Sequence, residues 1–175
     1  DAYLNFGSLI TAAPPESVLL FSGGLDSLGG ALEEVVRDKR SSLLVTHASA
    51  STKRERHYTL RSMIANATAG PKPQFITVRA DKKHRSEREY TQRARSFLYA
   101  SFAVTVARMA GLDTIRFYEN GVVSLNLPLS PQVVGSRATR TTHPRVLACM
   151  RRFFSLITGT SFKVENGFLW KTKGD

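Results

Sequence analysis

The sequence predicts an α/β domain built on a parallel five-stranded sheet with helices on both faces. Three observations carry that prediction. Short apolar runs rich in β-branched residues recur along the chain, and the first four each lead to a stretch with helical spacing. The runs are apolar at consecutive positions instead of alternating with polar ones, as in strands covered on both faces. Finally, 175 residues of which 42% are hydrophobic suffice for one domain core.

The elements follow in order. "SVLLF" (17–21) reads as the first strand and "SLGGALEEVVRDK" (27–39) as the first helix. "SSLLVTHAS" (41–49) precedes "KRERHYTLRSMIANA" (53–67), and "QFITVRA" (74–80) precedes "RARSFLYASFAVTVARMAG" (93–111). "DTIRFYENG" (113–121) leads through a long loop to "HPRVLACMRRFFSLITG" (143–159), and "SFKVENGFLW" (161–170) reads as a fifth strand. Helix 93–111 carries Phe97, Leu98, Phe102, Val104 and Val106 at mixed phases, which predicts a helix sandwiched deep in the domain. Cys149, between Ala148 and Met150, is expected to pack in the core. The loop 121–142 is longer than an ordinary connection, as lids and binding loops are, and it holds Arg137 and Arg140 but no acidic residue. Thr142 or His143 can cap the helix behind it, with Pro144 at the first helical position.

Composition narrows the function classes. No run approaches the roughly 18 apolar residues of a membrane span. The lone Cys149 excludes an internal disulfide, and a zinc site would need partners from elsewhere, so a cytoplasmic setting is expected. The chain opens on Asp1 without a signal-peptide pattern; residues 1–15 read as a leader or linker from a longer protein and residues 16–175 as the domain. The net charge of +11 is uneven: −3 over residues 1–50, +8 over 51–95 and +6 over 121–175. Such a balance favours a polyanionic partner, whether nucleotide phosphates, nucleic acid or an acidic protein.

In a parallel βα repeat every strand ends and every following helix begins at one edge of the sheet, where ligands bind. That rule collects residues distant in sequence: Ser22–Ser27 after the first strand, Thr46 and His47 at the end of the second, and Arg93 and Arg95 at the start of the apolar helix. Glu119, Asn120 and Gly121 follow the fourth strand, and Arg140–His143 precede the last helix. Within "LLFSGGLDS" the Ser-Gly-Gly turn lets successive N–H groups form a concave anion nest, backed by the positive end of a helix dipole. Ser22 and Ser27 can donate to phosphate oxygens. Asp26 cannot, and a carboxylate beside phosphates calls for a cation such as Mg²⁺ between them. Neither the Walker loop nor the Gly-x-Gly-x-x-Gly fingerprint is present.

The loop is similar to the Ser-Gly-Gly-x-Asp-Ser signature of the ATP pyrophosphatases, matched at Ser22, Gly23, Gly24, Asp26 and Ser27, with Leu25 at the variable position. Beyond it, "RERHYTLRSMI", "RARSFLYASFAVTVARMAGLDTIRFYENG" and "FKVENGFLWKTKGD" resemble the 7-cyano-7-deazaguanine synthase (QueC-like) family, most specifically at the loop and less so elsewhere. The resemblance implies a Rossmann-like fold of the adenine nucleotide alpha hydrolase (HUP) type. It also implies ATP and Mg²⁺ as cofactors, and cleavage of ATP between its α and β phosphates. The carboxylate of a deazaguanine-type small molecule would become an adenylate, then be displaced by a nitrogen nucleophile.

On that basis Ser22, Gly23, Gly24, Leu25 and Ser27 bind phosphate, and Asp26 is the Mg²⁺-side carboxylate. Arg95 is expected on phosphate or on the substrate carboxylate. Thr46 and His47 line the adenosine side, with a general base or a plain strand end as the other readings of His47. Glu119, Asn120 and Gly121 match a guanine-like donor edge, or else terminate a strand. Arg137, Arg140 and His143 clamp the leaving pyrophosphate, Arg137 on the substrate side, and Lys173 reaches the phosphates.

The departures are informative. The family's four-cysteine zinc site does not occur in this chain, and "VVSLNLPLSPQVVGSRATRTTHP" replaces a short Asp/Cys-containing segment. Such a loop resembles the QueC-like branch of bacterial anti-phage operons, which implies a protein or nucleic-acid acceptor; a homodimer is compatible with it. A nucleic-acid-modifying pyrophosphatase and a non-catalytic nucleotide-binding module stand as alternatives. The basic middle segment favours the former, and Asp26 weighs against the latter.

Overall fold

Val18 and Leu19 are both sealed from solvent, and they face opposite sides of the sheet. This places β1 (Ser17–Leu20) at the centre of the fold. The computed structural model describes residues 14–47, 51–80, 95–125 and 141–174, with the backbone alone at 51–54. β1 pairs in parallel with β2 (Ser42–His47) on one side and β4 (Thr114–Phe117) on the other. β3 (Gln74–Val78) and β5 (Lys163–Asn166) complete an all-parallel sheet of order β3-β2-β1-β4-β5, a Rossmann-like α/β arrangement. The chain reverses its direction of growth across the sheet at β1, so the crevice between the carboxyl ends of β1 and β4 is the topological switch point.

Side-chain alternation along the strands divides the core into two layers. On one face Val18, Leu43, Val45, Ile115 and Phe117 meet α3 (Arg95–Met109) and α5 (Pro144–Thr158). On the other, Leu19, Phe21 and Leu44 meet α1 (Leu25–Ala31), its π-helical continuation Leu32–Arg37, and Ile64 of α2 (Ser51–Ala67). A short α4 (Gly121–Leu125) follows β4 after the three residues Tyr118, Glu119 and Asn120.

The π-helical turn carries Glu34 into the interior. Glu34 accepts hydrogen bonds from the Tyr118 hydroxyl at 2.5 Å, Arg116 at 2.6 Å, Arg40 at 3.2 Å and Ser17 at 3.3 Å. Burial pushes its carboxyl up, but Tyr118, Arg116 and Arg40 outweigh burial and hold it below its ordinary value. Burial and the bond to Glu34 push the Tyr118 phenol up, so the hydroxyl keeps its proton. The Tyr118 ring crosses α1 at Gly30, where a Cβ would lie 2.0 Å from the ring. These contacts fix α1 against β4, and with it the loop that opens α1.

Several sequence expectations change. Helix 93–111 is not enclosed: Ala100, Ala103 and Ala107 face the sheet, whereas Phe97 and Leu98 are 41% and 43% exposed. Small residues bring the helix close to the strands, and its outer side has no further layer among the described residues. Cys149 is exposed, because Leu147, Met150 and Phe154 form the buried stripe of α5 and 149 falls off that stripe. The fifth strand covers only Lys163–Asn166. Gly167–Trp170 is a turn, opened by the Asn166 side chain, which accepts from the Phe168 N–H at 3.2 Å. No helix among the described residues is long and apolar enough to cross a membrane.

Candidate active site at the carboxyl ends of β1 and β4

Gly23 has φ +73°, a left-handed conformation that glycine adopts without Cβ strain. It lets the chain turn from β1 into α1 within Ser22–Gly24. Ser27, buried in the first turn of α1, donates to the Gly24 carbonyl at 3.1 Å. With that hydrogen spent, Ser22 is the donor of the Ser22–Ser27 pair, also at 3.1 Å, and it accepts from the Gly24 N–H at 3.3 Å. Gly24 caps α1 without a side chain, so no side-chain oxygen covers the helix start.

The loop is held from behind by a residue the sequence reading passed over. His57 Nε2 lies 3.0 Å from the Ser22 carbonyl, and His57 Nδ1 lies 3.0 Å from the Thr46 hydroxyl. A carbonyl only accepts, so Nε2 carries the proton and, in the neutral ring, Nδ1 accepts from Thr46. The ring also meets Phe21 edge-on at 5.8 Å, and a Cβ on Gly23 would lie 2.8 Å from Nε2. The glycine at 23 thus answers two demands, a positive φ and a close histidine. Thr46, expected against adenosine, is buried and orients this imidazole.

Asp26 faces the end of β4. One of its oxygens, Oδ2, accepts from the Asn120 side-chain amide at 2.6 Å and from the Asn120 N–H at 3.2 Å. Among the described residues the other oxygen, Oδ1, takes no hydrogen bond and remains available to a cation. Asn120 is itself buried, and its Oδ1 accepts the Val123 N–H at 3.1 Å, capping α4. Glu119 is committed in the opposite direction: its carboxylate accepts from the Thr142 hydroxyl, and its main chain is bridged by Asn166, at 3.0 Å on the N–H and 2.8 Å on the carbonyl. Ser124 joins the same network, 2.9 Å from Asn166 and 3.1 Å from Thr142. The Gly121 N–H donates to the Lys171 carbonyl at 2.9 Å. The triplet 119–121 therefore builds the wall behind Asp26, with its polar groups turned inward.

The remaining candidates are placed as follows. His47 Nε2 bonds the Ala80 carbonyl at 3.1 Å, and its ring stacks on Phe102 and leans on Tyr99. Arg95 donates to the Tyr99 hydroxyl at 2.7 Å, over the same ring. His143 caps α5 through Nδ1, which accepts the Arg145 N–H at 3.2 Å, with Pro144 following as expected. Lys173 is exposed, whereas its neighbour Lys171 pairs with Glu33 on the helix behind the loop. Arg93, Arg137 and Arg140 lie outside the described residues.

The residues present fit an ATP–Mg²⁺ pair at the level of donor chemistry. Mg²⁺ takes one or two carboxylates together with phosphate and water oxygens, and a single free carboxylate oxygen stands in the first turn of α1, next to the two hydroxyls of the Ser22–Ser27 turn. Among the described residues no group of three His, Cys, Asp or Glu side chains forms an all-protein metal cage. Comparison with protein-family models finds no match, and comparison with curated protein sequences finds none either.

Proposed function

We propose that this chain is an ATP-dependent adenylating ligase of the 7-cyano-7-deazaguanine synthase type. The observation that carries the reading is the placement of Asp26: a carboxylate with one oxygen fixed by Asn120 and the other open, at the mouth of a Ser-Gly-Gly turn on the switch point of a parallel sheet. A module that only held phosphates would gain little from a carboxylate there.

In this reading Ser22 and Ser27 exchange their hydrogen bonds within the turn, to Ser27 and to the Gly24 carbonyl, for phosphate oxygens, and with the N–H groups of the turn they hold the β and γ phosphates as they depart. Asp26 holds Mg²⁺, which offsets charge on the phosphates when bound. A carboxylate oxygen of the second substrate attacks the α phosphorus, the α–β phosphoanhydride bond breaks, and pyrophosphate leaves. A nitrogen nucleophile then displaces AMP. The protein's contribution is positioning and electrostatic stabilisation, without a covalent enzyme intermediate. His57 and Asn120 serve by fixing the Ser22 carbonyl and Asp26. The acceptor, a protein or nucleic acid in a phage-defence setting, belongs to the same proposal. The charge of +8 over residues 51–95 favours nucleic acid as the second reading.

The test is isotopic. With ¹⁸O in the carboxylate of 7-carboxy-7-deazaguanine, adenylation transfers one labelled oxygen to AMP. Unlabelled AMP, or ADP in its place, contradicts the reading.

A further inference from the structure

A groove of about 560 Å³ runs between α5 and the start of β5. It lies toward the amino ends of the strands, whereas Asp26 and Asn120 lie at the carboxyl ends. Arg151, Arg152, Ser155 and Leu156 line it from the helix, and Phe162 and Lys163 from the chain entering the strand. The two walls are fixed to each other. The Ser155 hydroxyl accepts the Phe162 N–H at 3.0 Å and donates to the Phe162 carbonyl at 3.4 Å. Phe162 is sealed from solvent and packs edge-on against Phe154 at 6.2 Å.

The charge of the groove is one-sided. Arg151, Arg152 and Lys163 are exposed, and none of them forms an ion pair among the described residues. α5 contains no acidic residue. The carboxylates beside β5 are committed elsewhere: Glu165 takes Arg116 at 3.0 Å, and Asp113 takes Arg108 and the Thr160 hydroxyl. Leu156, 82% exposed, adds an apolar contact to the cations.

The strand along the groove is an outer one. Among the described residues β5 pairs with β4 alone. The Lys163 N–H donates to the Asp113 carbonyl at 2.7 Å, and the Gly167 N–H to the Phe117 carbonyl at 3.1 Å. Main-chain groups alternate in direction along a strand, so those of Val164 and Asn166 point away from β4. They offer donors and acceptors to one more strand.

We infer that this groove binds an extended acidic segment of a partner protein, added as a strand beside β5. Main-chain hydrogen bonds to Val164 and Asn166 hold the segment in register. Its alternate side chains fall on the α5 side, where Arg151 and Arg152 take carboxylates and Leu156 takes an apolar neighbour. Nucleic acid fits less well. It has no peptide main chain for the strand edge, and Phe162, the one aromatic lining the groove, is buried and cannot stack on a base. A second copy docked through the same groove would set arginines against arginines. The inference does not depend on the adenylation reading.

Fluorescence anisotropy tests it on the full chain, with a labelled octapeptide that alternates glutamate and valine. Saturable binding is expected, and it weakens as salt rises. Arg151→Gln combined with Arg152→Gln weakens it about tenfold at an unchanged melting temperature. The same peptide N-methylated on alternate amides keeps its charge but loses its strand donors, and it is expected to bind far more weakly. A lysine–valine octapeptide is expected not to bind. An acidic peptide that fails to bind, or that binds the double variant equally well, overturns the proposal. So does full affinity of the N-methylated or the lysine peptide. Binding of a single-stranded dodecathymidylate that is lost in the double variant, with the acidic peptide unaffected, gives the groove to nucleic acid instead. A wild-type dimer that the same substitutions dissociate gives it to a second copy, and either result overturns the proposal.

Discussion

Asn120 donates its side-chain amide to Asp26 at 2.6 Å across 94 positions of sequence, and its own N–H reaches the same carboxylate oxygen. The end of β4 thereby aims a residue in the first turn of α1. Asn120→Ala frees that carboxylate and removes the cap of α4, and turnover is expected to fall about 10- to 100-fold with the affinity for an ATP analogue little changed. Steady-state kinetics beside calorimetry on the same variant decide it; equal losses in both contradict a positioning role.

Asn120→Asp sets a second carboxylate against the first. Two such groups at this distance cannot both ionise freely, so one folded-state pKa rises. A raised pKa contributes stability below the unfolded value, and that stability is lost as pH rises through the folded one. Relative to wild type, the variant is expected to lose melting temperature as pH rises from acid to neutral. A deficit independent of pH speaks against the contact.

Gly23→Ala meets a left-handed φ and the His57 ring together. The backbone term alone is about 1–2 kcal/mol, read as a lowered denaturant midpoint. His57→Ala on top of it relieves the collision but not the φ strain, so the double variant recovers part of the loss relative to an unstrained baseline. A wild-type midpoint for Gly23→Ala is incompatible with this loop.

Glu34 has its carboxyl held below the ordinary 4.5, despite burial, by Tyr118, Arg116 and Arg40. Its contribution to stability is present above 4.5 and is lost as pH falls through the depressed folded-state value. Glu34→Gln is therefore expected to lower the melting temperature at neutral pH and to flatten its decline in acid. Parallel wild-type and variant curves below pH 4.5 dispose of the point.

Cys149 is open to solvent, and a thiol reagent is expected to titrate it in the folded protein without denaturant. A thiol that reacts only after unfolding returns it to the core.

The place of the loop in the fold was legible because its signals are local. Ser22, Gly23, Gly24, Asp26 and Ser27 fall within six residues where a patterned strand passes into a patterned helix. Parallel topology then correctly brought Asn120 to the same edge, but not its role. Its amide turns toward Asp26 instead of outward, a matter of side-chain direction that spacing does not encode. His57 reaches the loop from a helix surface, with no local pattern to give its role beyond its place in "RERHYTLRSMI"; Thr142 was marked as a possible helix cap, but His143 takes that place and Thr142 turns to Glu119 and Ser124 instead. Apolar residues on α3 and α5 were misplaced for a different reason. Hydrophobicity records that Phe97, Leu98 and Cys149 avoid water in composition, not whether another layer covers them. Gly167–Trp170, a turn, was read through as strand because apolar residues resume at Phe168.

The most direct test is the identity of the nucleotide products formed from ATP, Mg²⁺ and 7-carboxy-7-deazaguanine by the full chain and by Asp26→Ala, followed by phosphorus NMR. AMP and pyrophosphate that depend on the deazaguanine and vanish with Asp26→Ala are the predicted result. ADP and phosphate, or ATP left intact while demonstrably bound, would contradict the account.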